Sequence, residues 1–128
     1  METNTKPKTI FLVEDDGSLN RAVMRKLEQK GNRVISMMRA EEALNILNTE
    51  HPQIDVIWLD LLLPGMNGLE FLDKIRKNPE YKDIKVVICS VSGSEESKKT
   101  ARDLGVSDYL IKSDYALEAL TEKVLSYA

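Results

Sequence analysis

Glu14, Asp15, Asp60, Ser90 and Lys112 are the residues of this sequence whose types and positions could do chemistry. Each follows an apolar run. Glu14-Asp15-Asp16 ends Thr9-Ile10-Phe11-Leu12-Val13, and Asp60 ends Val56-Ile57-Trp58-Leu59. Ser90 ends Val86-Val87-Ile88-Cys89, and Lys112 ends Tyr109-Leu110-Ile111. In open parallel sheets, ligands and reacting groups collect at the carboxyl ends of the strands. If the first and third of these runs are neighbouring strands, Glu14, Asp15 and Asp60 converge. Two like charges about 4 Å apart repel by roughly 4 kcal/mol at an effective dielectric near 20. Such a cluster therefore calls for a divalent cation or for a bound proton. Oxygen ligands with open positions suit Mg²⁺, which keeps waters and prefers carboxylates plus a phosphate. Lys112 would add a positive point charge and Ser90 a neutral donor. Together they would cradle a phosphoryl group built on Asp60 as nucleophile. Taken singly, each acid reads as well as a solvated loop residue, and Ser90 as a strand end. The repetition at successive strand ends is what favours the chemical reading.

The elements that must position these groups alternate along the chain. After the first strand, Leu19, Val23 and Leu27 recur with helical spacing, and Gly31 stops the helix. Val34 to Met37 reads as a short strand. Ala40, Ala43, Leu44 and Leu47 line a second helix that ends before His51-Pro52. Asp55 to Leu59 is the third strand. It leads through the break Leu61-Leu62-Leu63-Pro64-Gly65-Met66-Asn67-Gly68 to a helix carrying Leu69, Phe71, Leu72 and Ile75, which stops near Asn78-Pro79. The strand Val86 to Cys89 precedes a polar helix, Glu95 to Leu104, whose apolar side is little more than Ala101 and Leu104, with Gly105 as its cap. Asp108 to Ile111 is the fifth strand. Leu117, Leu120 and Val124 face inward from the last helix, with Asp114 as its expected N-cap and Glu118 favourable in its first turn. Five such units require a parallel sheet covered on both faces, because right-handed crossovers place helices outside it.

A length of 128 residues suits one domain, and 42% hydrophobic with 30% charged residues is ordinary for a globular chain. A net charge of −3 leaves no footprint for nucleic acid or an acidic membrane surface. The single cysteine excludes an intrachain disulfide, and Cys89 in its apolar strand reads as inert packing. Met1 to Lys8 is polar, without a signal-peptide stretch, and is expected to be a flexible N-terminal segment before a domain spanning residues 9–128. No apolar run is long enough to span a membrane, so a cytoplasmic domain is the default expectation. His51 beside Pro52 reads as a surface residue. Trp58 and Met37-Met38 read as packing, and Lys98, Lys99 and Arg102 as the solvated face of their helix.

The same residues carry a family resemblance. From Thr9 to Leu125 the chain resembles the receiver domain of two-component response regulators. The resemblance rests on Leu12-Val13-Glu14-Asp15-Asp16, on the Asp60 to Gly68 segment, and on Ser90 and Lys112 at fitting spacings. It implies a flavodoxin-like (βα)5 doubly wound sheet with strand order 2-1-3-4-5. It implies that Asp60 is the phosphoacceptor, receiving its phosphoryl group from a sensor histidine kinase or phosphotransfer protein. Glu14, Asp15, Asp60 and the Leu62 backbone carbonyl would hold Mg²⁺, with Mn²⁺ able to substitute. Ser90 would hydrogen-bond the phosphoryl group and move on activation, Lys112 would pair with it, and Tyr109 would be the aromatic switch. A downstream protein would then read the face of the fourth and fifth helices and fifth strand. The chain would not be an enzyme in its own right, catalysing only its own phosphorylation and dephosphorylation, as a monomer or a weak phosphorylation-dependent dimer.

Three departures qualify this picture. Val91 stands where the family usually has a small residue, and its branched side chain would narrow access to Asp60. Ser113 follows the lysine in place of the usual proline, so a trans Lys112-Ser113 peptide is expected, since the cis form costs about 2.5–4 kcal/mol outside proline. No effector segment follows Ala128, so the chain is expected to be a stand-alone regulator or a receiver excised from a longer protein. Leu62, which offers no hydrogen bond to water, is expected to make the phosphoryl group long-lived. The alternative reading is a degenerate, non-phosphorylated receiver serving as an interaction module. A haloacid-dehalogenase-type phosphatase would need a second acid where Leu62 stands, and a flavin-binding module would meet repulsion from Glu14-Asp15-Asp16.

Overall fold

The computed structural model describes residues 6–128. The expected N-terminal segment 1–8 therefore falls in large part outside the described residues. Within it, the Lys8 N–H donates to Asn32 Oδ1 at 3.0 Å and its carbonyl accepts from Arg33 at 2.8 Å.

Five strands alternate with five helices: β1 (Thr9–Val13), α1 (Gly17–Gln29), β2 (Arg33–Met37), α2 (Ala40–Glu50), β3 (Val56–Leu59), α3 (Gly68–Arg76), β4 (Val86–Ser90), α4 (Glu95–Asp103), β5 (Asp108–Ile111) and α5 (Leu117–Leu125). The strands form one parallel sheet in the order β2-β1-β3-β4-β5, the flavodoxin-like arrangement expected. Period-two alternation sorts the strand side chains between two cores. Phe11, Val13, Ile57, Leu59, Val86 and Ile88 pack with Ala40, Ala43 and Leu47 of α2, Phe71, Leu72 and Ile75 of α3, and Ala101 of α4. On the other face Ile10, Leu12, Val56, Trp58, Val87 and Cys89 pack with Val23 and Leu27 of α1 and Leu120 and Val124 of α5. The two central strands are thus buried throughout, which is why they read as unbroken apolar runs.

Local chemistry sets the helix ends. Asp16 caps α1, accepting the Leu19 N–H at 3.2 Å. Asn67 and Glu70 form a reciprocal capping box at α3. Arg76, at the end of α3, donates to the carbonyls of Lys82, Ile84, Leu104 and Gly105, tying down the turns that enter β4 and leave α4. α4 is the least anchored helix, with Ala101 its one buried residue.

The start of α5 departs from expectation. Lys112–Asp114 forms a 3-10 turn, closed by the Tyr115 N–H on the Lys112 carbonyl at 3.3 Å. The N-cap is Ala116, without a side-chain hydrogen bond. Asp114 is spent inside the turn, too far back along the chain to reach the first amides of the helix, so it does not cap α5. Glu118 is in the first turn as expected, but its close partners are Lys26 of α1 and Lys30 just past the end of that helix, each at 2.8 Å. No cis peptide occurs among the described residues, so Lys112-Ser113 is trans. None of the helices among these residues is long and apolar enough to cross a membrane.

Candidate functional site

The sheet register brings the acids together. β1 and β3 are neighbours with Val13 opposite Leu59, and the Asp60 N–H continues the ladder onto the Val13 carbonyl at 3.0 Å. One carboxylate oxygen from each of Glu14, Asp15 and Asp60 lies within 4.8 Å of the others. Glu14 is fully buried, Asp60 is 4% exposed and Asp15 is half-buried. Lys112, at the end of β5, reaches across to them: its Nζ lies 2.7 Å from Glu14 Oε1 and 3.3 Å from Asp60 Oδ2. Three carboxylates thus face one ammonium.

That imbalance sets the protonation. Burial, and then the charge of Asp60, push the Glu14 carboxyl up to about 7, against the opposing pull of Lys112 and the Asp16 N–H. Burial and the neighbouring Asp60 also raise Asp15. Burial works to lower the Lys112 ammonium, but Glu14 and Asp60 outweigh it and the net shift is upward.

Three buried side-chain polar atoms have no aligned hydrogen-bond partner among the described residues: Trp58 Nε1 in the core, and two atoms at this site. Glu14 Oε1 is in ion-pair contact with Lys112, yet no donor among the described residues is aligned on it. Ser90 Oγ, at the end of β4 and 1% exposed, makes no well-aligned hydrogen bond among those residues, although the Tyr109 hydroxyl is near enough to interact with it. Buried polar atoms are ordinarily satisfied, so the Ser90 hydroxyl has capacity for a further group, while Glu14 Oε1 already meets the Lys112 ammonium at 2.7 Å. Three carboxylates, one ammonium and a hydroxyl with spare capacity are a donor set compatible with a metal-assisted phosphoryl site.

The loop after Asp60 is pinned at several points. The Leu62 N–H donates to Asp60 Oδ1 at 3.1 Å, and the Met66 N–H donates to Glu41 Oε2 of α2 at 3.0 Å. Gly68 is required by close approach: a Cβ there would lie 2.4 Å from the Asp60 carbonyl oxygen and 2.7 Å from Leu61 Cα. Leu62 and Val91 are 60% and 58% exposed. Tyr109 is half-buried, and its hydroxyl donates to the Ser92 carbonyl at 3.2 Å. The ring lies where a side chain at Gly93 would have to go. Burial raises its phenol, with Ser90 opposing.

The remaining expectations fall out simply. Cys89 is fully buried, its thiol pushed well up by desolvation. Trp58 and Met37 are core, whereas Met38 is exposed. His51 is exposed and pairs with Glu80 at 2.8 Å. Asp16, third in the acidic run, serves its helix and lies outside the cluster. Sequence reasoning missed Asn20, Glu41 and Gly68. Asn20 was the most visible of them, since the buried stripe of α1 runs Asn20, Val23, Leu27, with Leu19 half-buried beside it.

Comparison with known proteins gives a consistent result. The family model of the response regulator receiver domain matches residues 10–125. Among curated proteins, the phosphate regulon transcriptional regulatory protein PhoB of Klebsiella pneumoniae is 33% identical over 105 residues, 82% of this chain and 45% of its own length. The chain spans about half the length of the curated relatives it matches. Among solved structures, the phosphorylated cyanobacterial phytochrome response regulator RcpA superposes with a TM-score of 0.82 at 32% identity, covering 94% of this chain and 91% of that one. The Mn²⁺-bound form of response regulator Rcp1 superposes with a TM-score of 0.80 at 33% identity, over the same shares of the two chains.

Proposed function

Since the chain belongs to the response regulator receiver domain family, we propose that it accepts a phosphoryl group on Asp60 and switches its interaction surface in response. The carrying observation is the convergence, at the carboxyl ends of the strands, of three carboxylates and the Lys112 ammonium, with the Ser90 hydroxyl ending β4 beside β3. In the transfer an Asp60 carboxylate oxygen attacks phosphorus while the bond from phosphorus to the donor breaks. The departing group keeps the electron pair, and an acyl phosphate remains on Asp60. A histidine kinase or phosphotransfer protein is the donor expected for this chemistry. Lys112, already 3.3 Å from Asp60, balances the negative charge of the incoming group. Ser90 Oγ supplies a hydrogen bond to a phosphoryl oxygen.

Glu14, Asp15 and Asp60, with the Leu62 carbonyl, are the residues that would hold Mg²⁺ or Mn²⁺. The bound cation would neutralise charge on the acids and the phosphoryl oxygens. The excess of carboxylates over the single ammonium fits such an ion, and Mn²⁺ in the related Rcp1 supports it. Apart from its own phosphorylation and dephosphorylation, we assign the chain no catalytic role. Its output would be read by a protein on the face of α4, β5 and α5, of which α4 is the least tightly packed.

The test is incubation with Mg²⁺ and a small phosphodonor, read by intact mass. The wild-type chain should gain one phosphoryl group and Asp60→Asn none. Modification that persists in the variant would refute Asp60 as acceptor. No gain in the wild type would favour the non-phosphorylated interaction module.

A further inference from the structure

Beneath the acids lies a buried polar side chain that belongs to neither the metal cluster nor the phosphoryl cradle. Asn20, on α1, is 4% exposed. Its Nδ2 donates to the Glu14 carbonyl at 2.9 Å and, more weakly, to the Met37 carbonyl at 3.4 Å. Its Oδ1 accepts from the Ser36 hydroxyl at 2.6 Å. Two carbonyl oxygens on one side and a hydroxyl on the other leave the amide one sensible orientation. The backbone N–H of Asn20 also donates to the Asp16 carbonyl at 2.8 Å. One residue thus grips the acidic turn at both ends, Glu14 with its side chain and Asp16 with its main chain.

From these contacts we propose that Asn20 is a positioning residue for the metal-binding acids. The Glu14 carbonyl belongs to the Glu14-Asp15 peptide. Rotation of that peptide would swing the Asp15 carboxylate relative to Glu14. The Glu14 N–H is already fixed on the Met37 carbonyl at 3.1 Å, and Glu14 Oε2 on the Asp16 N–H at 3.0 Å. The Asn20 amide closes the remaining freedom. It also joins the ends of β1 and β2 to α1, so the geometry of the two acids is set by packed elements and not by the loop alone. Groups that orient metal ligands from behind commonly matter 10- to 100-fold for affinity. The proposal rests on the metal reading given above.

The test compares Mn²⁺ affinity, read from the paramagnetic resonance signal of the free aqua ion, in the wild type, Asn20→Ala and Val23→Ala. Val23 is buried on the same helix and packs in the apolar core, so its truncation controls for loss of stability. Asn20→Ala should weaken Mn²⁺ binding about 10-fold or more, while Val23→Ala lowers the melting temperature and leaves affinity unchanged. Equal affinity in all three proteins would overturn the proposal, as would an equal loss in both variants. Should Asn20→Ala fail to fold, Ser36→Ala decides. That change removes only the hydroxyl that orients the amide and should weaken binding in the same direction by a smaller factor; unchanged affinity would overturn the proposal. A wild-type chain that binds no Mn²⁺ would instead remove the metal reading itself, and this proposal with it.

Discussion

Replacing Asp60 by Asn should make the metal-free protein more stable while abolishing the proposed chemistry. In the folded state the Asp60 carboxylate faces Glu14 and Asp15 within 4.8 Å and Lys112 Nζ at 3.3 Å. At an effective dielectric near 20, each acid at that separation costs about 3.5 kcal/mol and the ammonium returns about 5 kcal/mol. The charge on Asp60 is thus a net liability of about 2 kcal/mol, reduced toward about 1 kcal/mol because Asp15 is partly solvated and screened. Asn keeps the shape and an acceptor for the Leu62 N–H, and Lys112 keeps Glu14. For a chain of this size the gain corresponds to roughly 3 to 8 °C in melting temperature. Mg²⁺ should reverse the order. The wild type gains about 2.7 kcal/mol at a hundredfold excess over its dissociation constant, and the variant, with one ligand fewer, gains much less. The assay is a pair of thermal melts at pH 8 and low ionic strength, with EDTA and with saturating Mg²⁺. A lower melting temperature for Asp60→Asn in EDTA, or equal Mg²⁺ shifts in the two proteins, would refute the electrostatic reasoning.

Stability of the metal-free protein should depend on pH with a sign set by Glu14. Its folded carboxyl holds a proton up to about 7 against an ordinary 4.5, so between those values the folded state binds more protons and stability falls as pH rises. Glu41, held low by the Met66 N–H, and Glu118, held at about 2 by Lys26 and Lys30, complete their own effects below that window. Denaturation in EDTA from pH 5 to 8 checks this, and a rise across the window would contradict it. Gly68→Ala should cost about 1–3 kcal/mol, because the new methyl meets backbone atoms of Asp60 and Leu61; a melt and the phosphorylation rate read it together. Asp114→Ala should change stability by less than about 0.5 kcal/mol, whereas Asn67→Ala should cost about 1 kcal/mol through its lost cap, as denaturant midpoints will reveal. Leu62→Asn should speed loss of the phosphoryl group, by offering a hydrogen bond to attacking water where the wild type presents an exposed apolar side chain; a decay rate that is unchanged or slower would exclude that account.

The fold was legible because its rules are local. Runs such as Val56 to Leu59 are apolar on both faces, which only a strand covered by helices on both sides explains, and the breaks at Gly31, Pro52 and Gly105 are cheap for the chain to signal. Crossover handedness and the need to cover both faces require a parallel sheet with helices on either side, whereas the strand order 2-1-3-4-5 was implied by the family resemblance and is the order the sheet adopts. The start of α5 was less legible because the outcome is a competition. Asp114 has the right chemistry for a cap, but Lys112 must reach Glu14 and Asp60, and the chain after it closes into a 3-10 turn that leaves Ala116 at the helix start. A propensity argument weighs Asp114 against neighbouring positions only. It has no access to what Lys112 is doing three strands away.

The proposed reacting groups were legible for a different reason from the groups that would aim them. Carboxylates at a strand end are costly, so their presence in an apolar context is itself a signal, and the same holds for a lysine ending β5. Asn20 sends no such signal. A neutral amide on a helix is common, and its value here depends on three carbonyls or hydroxyls brought to it by β1 and β2. What distinguishes it is position: it falls in register with Val23 and Leu27, on the face that must be buried. A buried polar side chain is retained only if its hydrogen bonds are met. An amide at a core position of α1, six residues past the first acid, therefore had to find backbone partners close to where that helix begins. The carbonyls it takes are those of Glu14, in the acidic turn, and Met37, at the end of β2, so the register of one helix, read with its single polar exception, points back to the site.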